Sequence, residues 1–277
     1  MDIYAGKSVL ITGGSSGIGL ALSRALVKRG SNVTLLARRQ TLLEEARKEL
    51  DLLAGPVHEP VKILKADVTR ENELNEIVSE FMGTHGTPDI IINCAGVSHP
   101  GTFTSLKREI FHWLMEVNYF GTVNMLKAIV PCMQKRRSGI IVNISSIAGF
   151  IGLYGYTAYS ASKFAVSGFS DALRSELKPY GIQVSIVFPP DTKTPQLDYE
   201  EKYKPFITQQ LAGSAKLMSA DDVAREILKK VARKKYIILP GTEGKILYLV
   251  KNLIGKRQYP IIDLLVKDAI RKIKLGV

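Results

Sequence analysis

Ser8-Val9-Leu10-Ile11-Thr12-Gly13-Gly14-Ser15-Ser16-Gly17-Ile18-Gly19 is the stretch that decides the fold. Its first five residues are mostly apolar, as in a strand buried on both faces, and helical periodicity follows over Gly17–Arg29. Between the two, glycines let the backbone turn sharply and approach a ligand closely. The helix start supplies free N–H groups and the positive end of its dipole, the combination a phosphate requires. The spacing is Gly-x-x-x-Gly-x-Gly, not the commoner Gly-x-Gly-x-x-Gly, but its place at the first strand-to-helix turn points to a nucleotide. Gly13-Gly14-Ser15-Ser16-Gly17 also fits a hydrolase nucleophile elbow, which needs an acid and then a histidine later in the chain. His58, His85, His99 and His112 are the histidines, and none follows a late strand.

Working outward, further strands are expected at Asn32–Leu36, Val61–Ala66, Ile90–Asn93, Ile140–Ile144, Gln183–Phe188 and Tyr236–Leu239. Helices are expected at Thr41–Leu53, Glu71–Met82, Leu106–Lys135, Ala158–Lys178 and Ala220–Lys234. Apolar strands alternating with helices make an α/β, Rossmann-type doubly wound parallel sheet of about seven strands, helices on both faces. No repeat or linker interrupts it, so residues 1–240 read as one domain and residues 241–277 as a basic amphipathic helical extension. Pro189-Pro190 ends the sixth strand, and residues 191–218 lack a period. They read as a mobile substrate loop at the carboxyl edge of the sheet.

The 277 residues contain 38 Lys and Arg against 26 Asp and Glu, a formal charge of +12, and 17 of the basic but only 7 of the acidic residues lie in 201–277. That asymmetry suits an anionic surface or a solvated basic face. No nucleic-acid reading module accompanies it, so a membrane surface is the expected partner and nucleic acid is not. Lys245–Gly255 is apolar nearly all round. Pro260–Lys274 sets Ile262, Leu265, Val266, Ala269 and Ile273 on one face and Lys267, Arg271, Lys272 and Lys274 elsewhere. Docking onto the body or an oligomer contact would use the same faces, and a homodimer or homotetramer is expected. Two cysteines and four scattered histidines offer neither a disulfide framework nor a metal site. With neither leader pattern nor long apolar run in this stretch, the expected setting is cytoplasmic, peripheral at most on a membrane.

Two features bear on chemistry. Ala37-Arg38-Arg39 stands where an NAD site would carry an acid for the ribose 2′-OH; a guanidinium suits a 2′-phosphate instead, which favours NADPH. In Gly155-Tyr156-Thr157-Ala158-Tyr159-Ser160-Ala161-Ser162-Lys163, Tyr159 and Lys163 share one helix face, where an ammonium is expected to lower the phenol pKa toward a useful range. Ser145 and Ser146 end the preceding strand, and either could bring a hydroxyl beside the phenol.

Together these residues resemble the short-chain dehydrogenase/reductase family over about residues 6–240. Thr12, Gly13, Gly17 and Gly19 match its glycine motif, Asn93-Cys94-Ala95-Gly96 its Asn-x-Ala-Gly motif, and Asp67-Val68 its adenine-contacting pair. Asn118 matches the proton-relay asparagine, and Ser146 fits the catalytic serine better than Ser145 does. The resemblance implies a catalytic set of Asn118, Ser146, Tyr159 and Lys163, no metal, and reduction of a ketone to a secondary alcohol, Tyr159 protonating the oxygen. NADPH would be held by Gly13, Ser15, Ser16, Gly17, Ile18, Gly19, Arg38, Arg39, Asp67, Val68, Asn93, Ala95, Gly96, Tyr159, Lys163, Pro189 and Thr192. Pro189-Pro190-Asp191-Thr192, in place of the frequent Pro-Gly, with Gly152–Tyr159, looks like the members that reduce 3-ketosphinganine. A 3-oxoacyl or steroid-like ketone stays open, as does a non-catalytic NADPH sensor.

Overall fold

The computed structural model describes residues 2–54, 59–212 and 217–275. Strands β1 (Ser8–Thr12), β2 (Asn32–Ala37), β3 (Lys62–Lys65), β4 (Ile90–Asn93), β5 (Gly139–Ile144), β6 (Ile182–Val187) and β9 (Ile237–Ile238) form one sheet. Its order is β3-β2-β1-β4-β5-β6-β9, with every pair parallel. Helices α1 (Gly17–Val27), α2 (Gln40–Ala54), α3 (Glu71–His85), α4 (Arg108–Met115), α5 (Gly121–Arg136), α6 (Thr157–Leu177) and α9 (Ala220–Ala232) cover it.

Strand side chains alternate, so each apolar run feeds two cores. Val9, Ile11, Val33 and Leu35 pack with Leu22 and Leu26 of α1 and Val223 and Ile227 of α9. Leu10, Leu36, Ile91 and Ile141 face the other way, onto Phe81 of α3 and Met125, Ile129 and Met133 of α5. The chain reverses direction across the sheet between β1 and β4, and in such sheets ligands bind at the carboxyl ends beside that reversal.

Two stretches differ from the sequence-based expectation. The helix expected over Leu106–Lys135 is α4 and α5 joined by a π-helical turn, Glu116–Phe120, with Asn118 at its centre. One residue more per turn leaves the apolar period nearly intact, which is why the sequence hides it. Residues 191–218 are not a featureless loop. They hold β7 (Thr192–Lys193), α7 (Pro195–Glu201), α8 (Phe206–Ala212) and β8 (Met218–Ser219), with β7 and β8 paired parallel. Thr194 caps α7 by accepting from the Leu197 N–H, and Pro195 occupies its first turn. Residues 213–216 of the expected loop, and the side chains of Ile273 and Lys274, lie outside the described residues.

Two helices follow, α10 (Glu243–Ile254) and α11 (Gln258–Leu275). Tyr248 of α10 meets Phe150 edge-on at 5.1 Å between ring centroids and lies near Phe188, while Leu247 and Ile262 join the same cluster. On α11, Ala269 is buried but Leu265, on the same expected apolar face, is 54% exposed. The inward stripe of α11 is therefore narrower than its sequence suggests, and Leu264 and Leu265 face solvent together.

Candidate active site

The glycine turn is a cradle that side chains would fill. A Cβ on Gly19 would stand 2.3 Å from the Gly13 carbonyl oxygen, one on Gly13 would stand 3.0 Å from the Ala95 backbone, and Gly13 and Gly17 both have positive φ. Thr12 Oγ1 accepts from the Cys94 and Ala95 N–H groups, both at 3.0 Å, locking the turn to the end of β4. Ser16 begins α1 without its own side chain capping the helix, and no acidic residue lies in the first turn to compete with an anion. Gly13, Ser15, Ser16, Arg38, Arg39, Asp67, Val68, Ala95 and Gly96 line one recess together. Arg38 Nη1 lies 3.6 Å from Asp67 Oδ2, which fixes the arginine at the rim of that recess; half-exposed, its guanidinium keeps further donors for an anion. With the phosphate cradle at its base and arginines at its rim, the recess has the chemistry of a nucleotide-phosphate site.

The recess opens into a larger cavity of about 860 Å³ that passes Gly17, Ile18, Gly19, Ser146, Tyr159 and Lys163 and runs between Pro189, Thr192 and α7. Tyr159 and Lys163 are both buried. Lys163 Nζ lies 5.8 Å from the Tyr159 ring centroid and donates to the Ile144 carbonyl, the last of β5, at 3.1 Å. Ser146 Oγ accepts from the Ala148 N–H at 3.2 Å and hydrogen-bonds Tyr159. Ser145 turns away and donates to the Lys163 carbonyl at 3.0 Å, so the structure separates the two serines: one faces the phenol, the other braces α6.

Two expected site residues stand behind the cleft. Asn118 accepts from the Val97 N–H at 2.8 Å and donates to the Val97 carbonyl and Ser162 Oγ, both at 2.9 Å, while Thr122 donates to its backbone carbonyl. It ties the π-turn to α6 beneath Lys163. Asn93 donates to Asn143 Oδ1 at 2.8 Å inside the sheet and does not line either recess. Gly96 fills the remaining gap, since a Cβ there would stand 3.3 Å from Lys163 Nζ and 3.2 Å from Asn118 Oδ1.

The electrostatics depart from expectation. Burial, reinforced by the negative charge of Glu200, holds the Tyr159 phenol above the ordinary tyrosine range, against hydrogen bonds from Ser146 and Gln196 that pull it down. The lysine takes the downward shift instead. Burial draws Lys163 down to about 8, partly offset by Cys94 and Glu200. Glu200 and Gln196 were not visible as site residues in the sequence. They sit four apart on one face of α7, a helix announced only by Thr194-Pro195. Among the described residues, no three His, Cys, Asp or Glu side chains are grouped to hold a metal, and no helix is long and apolar enough to cross a membrane.

The family model described as short chain dehydrogenase matches residues 7–204. The chain belongs to the short chain dehydrogenase family. Within it, the chain is similar to the 3-ketodihydrosphingosine reductase of Mus musculus, 37% identical over 90% of this chain and 74% of that one. It is equally similar to the 3-dehydrosphinganine reductase of Danio rerio, 37% identical over 87% and 73% of the two chains. Among solved structures, a short-chain dehydrogenase of Sphingobium yanoikuyae in complex with NADPH superposes with a TM-score of 0.76, covering 91% of this chain and 96% of that one at 27% identity.

The charge state of Lys163 is measurable. Its folded value near 8 lies below the ordinary lysine value of 10.5, so between these limits the unfolded chain binds the extra proton and stability rises with pH. Replacing Lys163 with Met removes that rise. Urea unfolding at pH 7.5 and 9.5 should show the free-energy difference between wild type and Lys163→Met growing in favour of wild type by roughly 2 kcal/mol. A difference independent of pH would mean that the buried lysine titrates normally.

Proposed function

We propose that the chain reduces 3-ketosphinganine, a long-chain amino ketone, to the corresponding secondary alcohol with NADPH. The observation that carries the reading is the Tyr159 phenol, hydrogen-bonded by Ser146 and flanked by Lys163, at the point where the phosphate cradle meets a second, largely apolar recess. Leu153, Tyr154, Leu197, Leu211, Trp113 and Leu247 line that recess, which suits a long hydrocarbon chain. The names of the Mus musculus and Danio rerio relatives support the amino ketone over other lipophilic ketones.

NADPH, when bound, supplies the hydride that adds to the carbonyl carbon. The residues of this chain handle the oxygen. Tyr159, its phenol held protonated by burial, gives its proton to the oxygen as negative charge develops there. Ser146 donates a hydrogen bond to the same oxygen. The Lys163 ammonium stabilises the phenolate left behind, and its position is fixed by the Ile144 carbonyl on one side and by the Asn118 and Gly96 packing on the other. Asn118 acts by holding the π-turn against α6 rather than by touching the reacting atoms. Toward the other half, the α1 N-terminus and glycine turn would hold the pyrophosphate, Asp67 and Val68 the adenine, and Arg38 with Arg39 the 2′-phosphate.

The same helix that gives Leu247 to the cavity carries Ile246, Leu249 and Leu253 exposed, and α11 exposes Tyr259, Ile261 and Leu264. Lys251, Lys256, Arg257 and Lys267 are interspersed. A basic, apolar surface beside the cavity mouth fits reversible docking on an anionic bilayer, at about 1 kcal/mol per basic residue near the surface.

Three outcomes follow. NADPH oxidation should be observed with 3-ketosphinganine, and Tyr159→Phe should lower it by about 10²–10⁴ while leaving NADPH affinity nearly unchanged. A Phe variant that keeps most of its turnover would remove Tyr159 from the chemistry. NADPH should bind at least ~10-fold more tightly than NADH, and Arg38→Asp should erase or invert that ratio; equal affinities in the wild type would reject the 2′-phosphate assignment. Finally, the chain should co-sediment with anionic but not neutral vesicles, less so as salt rises, and Leu253→Glu with Leu264→Glu should abolish it. Indifference to lipid charge would turn these faces into a contact between copies of the chain.

A further inference from the structure

Three carboxylates line the larger cavity, Asp191, Glu200 and Glu243, and of these only Glu200 is buried, at 6% exposure. Tyr156 Oη donates to Glu200 Oε2 at 2.8 Å and Gln196 Nε2 donates to Glu200 Oε1 at 3.0 Å. These two bonds fill about half the acceptor capacity of a carboxylate. Among the described residues no Lys, Arg or His nitrogen lies within 4.0 Å of it; the two buried ammonium groups of the cavity are held elsewhere, Lys204 by Asp191 and Glu201 and Lys163 by the Ile144 carbonyl, so Glu200 is desolvated and in no direct ion pair. Burial accordingly pushes the Glu200 carboxyl upward. Beside it stands the Ser98 hydroxyl, 2% exposed, which lies against Glu200 and lines the same cavity, its oxygen accepting no hydrogen bond from the described residues.

The position of this pair relative to the chemistry is defined by Gln196, whose amide hydrogen-bonds both the Tyr159 phenol and Glu200. An α-amino ketone carries its ammonium on the carbon next to the carbonyl. A carbonyl oxygen seated on Tyr159 and Ser146 leaves that carbon within reach of the α7 side of the cavity, where the buried Glu200 carboxylate and the Ser98 hydroxyl stand together. We propose that Glu200, assisted by Ser98, is the group that recognises the substrate ammonium and so selects amino ketones over plain ketones of the same length. This assignment rests on the amino-ketone reading given under Proposed function. It also gives α7 a role: the helix places Gln196 and Glu200 four residues apart, one toward the phenol and the other toward the amine.

The test uses the full chain with NADPH and two substrates, 3-ketosphinganine and the ketone of equal length bearing hydrogen in place of the amine. Wild type should favour the amino ketone by about 10- to 100-fold in kcat/KM, the value of a hydrogen bond to a charged group. Glu200→Gln, which keeps the size and the Tyr156 contact, should lower kcat/KM for the amino ketone by that factor more than for the plain ketone, so that the preference between the two falls to within about 2-fold. Binding gives a readout apart from turnover, because Trp113, the only tryptophan, lines the cavity. Its fluorescence should report sphinganine binding weakened by a similar factor in Glu200→Gln. Equal losses on both substrates would make Glu200 a tether for α7 and overturn the proposal, as would no loss on either. The wild-type comparison needs no variant: equal activity on the two ketones overturns the ammonium assignment while leaving a ketone reductase intact. Activity on neither overturns the amino-ketone reading itself, and this assignment with it.

Discussion

The hydrogen bond from the Lys163 ammonium to the Ile144 carbonyl is the constraint on which the site depends. A buried charge is tolerated only where polar groups surround it, and here they come from the carboxyl end of β5, where the last backbone carbonyl has no further strand partner. That bond fixes the first turns of α6 against the sheet, and with them Tyr159 one turn before the lysine. Ser145 on the strand side and Asn118 through Ser162 brace the same turns. Gly96 is small because Lys163 and Asn118 occupy the space a side chain would need.

Parallel pairing does the rest. With β1, β4, β5 and β6 in register, their carboxyl ends lie at one level, so the glycine turn after β1, Gly96 after β4, Ser146 after β5 and Pro189 after β6 line one continuous cleft. The α1 N-terminus and Tyr159 thus stand on one cleft, the arrangement a cofactor spanning the two would need. The segment after β6, folded into α7 and α8, closes the cleft from above and brings the one buried carboxylate of that cavity to the reacting end.

Most of the sheet was legible because its central strands are apolar on both faces, a pattern that half-exposed strands lack; β1 and β4 were placed to the residue, whereas β3, Lys-Ile-Leu-Lys and half-exposed, is shorter than expected. The glycine turn, Arg38 and the Tyr159–Lys163 pair were legible because their spacing is tied to one backbone geometry, whereas Ser146 was singled out from Ser145 by the family resemblance alone. What the sequence concealed has physical reasons. A π-turn adds one residue and preserves the apolar stripe, so α4 and α5 read as one helix. Helices α7 and α8 are seven residues each, too short for a period to emerge, and with them Gln196 and Glu200 disappeared into a loop. Asn93 was placed at the cofactor because its motif ends there, yet its amide turns inward to Asn143. The direction of the Tyr159 shift was missed for a different reason: the ammonium was visible in the sequence, but the burial and the Glu200 charge that outweigh it were not.

The most direct measurement follows the transferred hydrogen itself. The chain, NADPH carrying deuterium at the transferable C4 position, and 3-ketosphinganine are mixed, and the product is examined by mass spectrometry and NMR. The expected result is one deuterium on the carbon bearing the new hydroxyl, with an unlabelled hydroxyl proton that exchanges with solvent, as delivery through Tyr159 requires. Oxidation of NADPH with no deuterium at that carbon, or no reduction of the ketone at all, would contradict a cleft built to bring a nicotinamide and an amino ketone together over Tyr159.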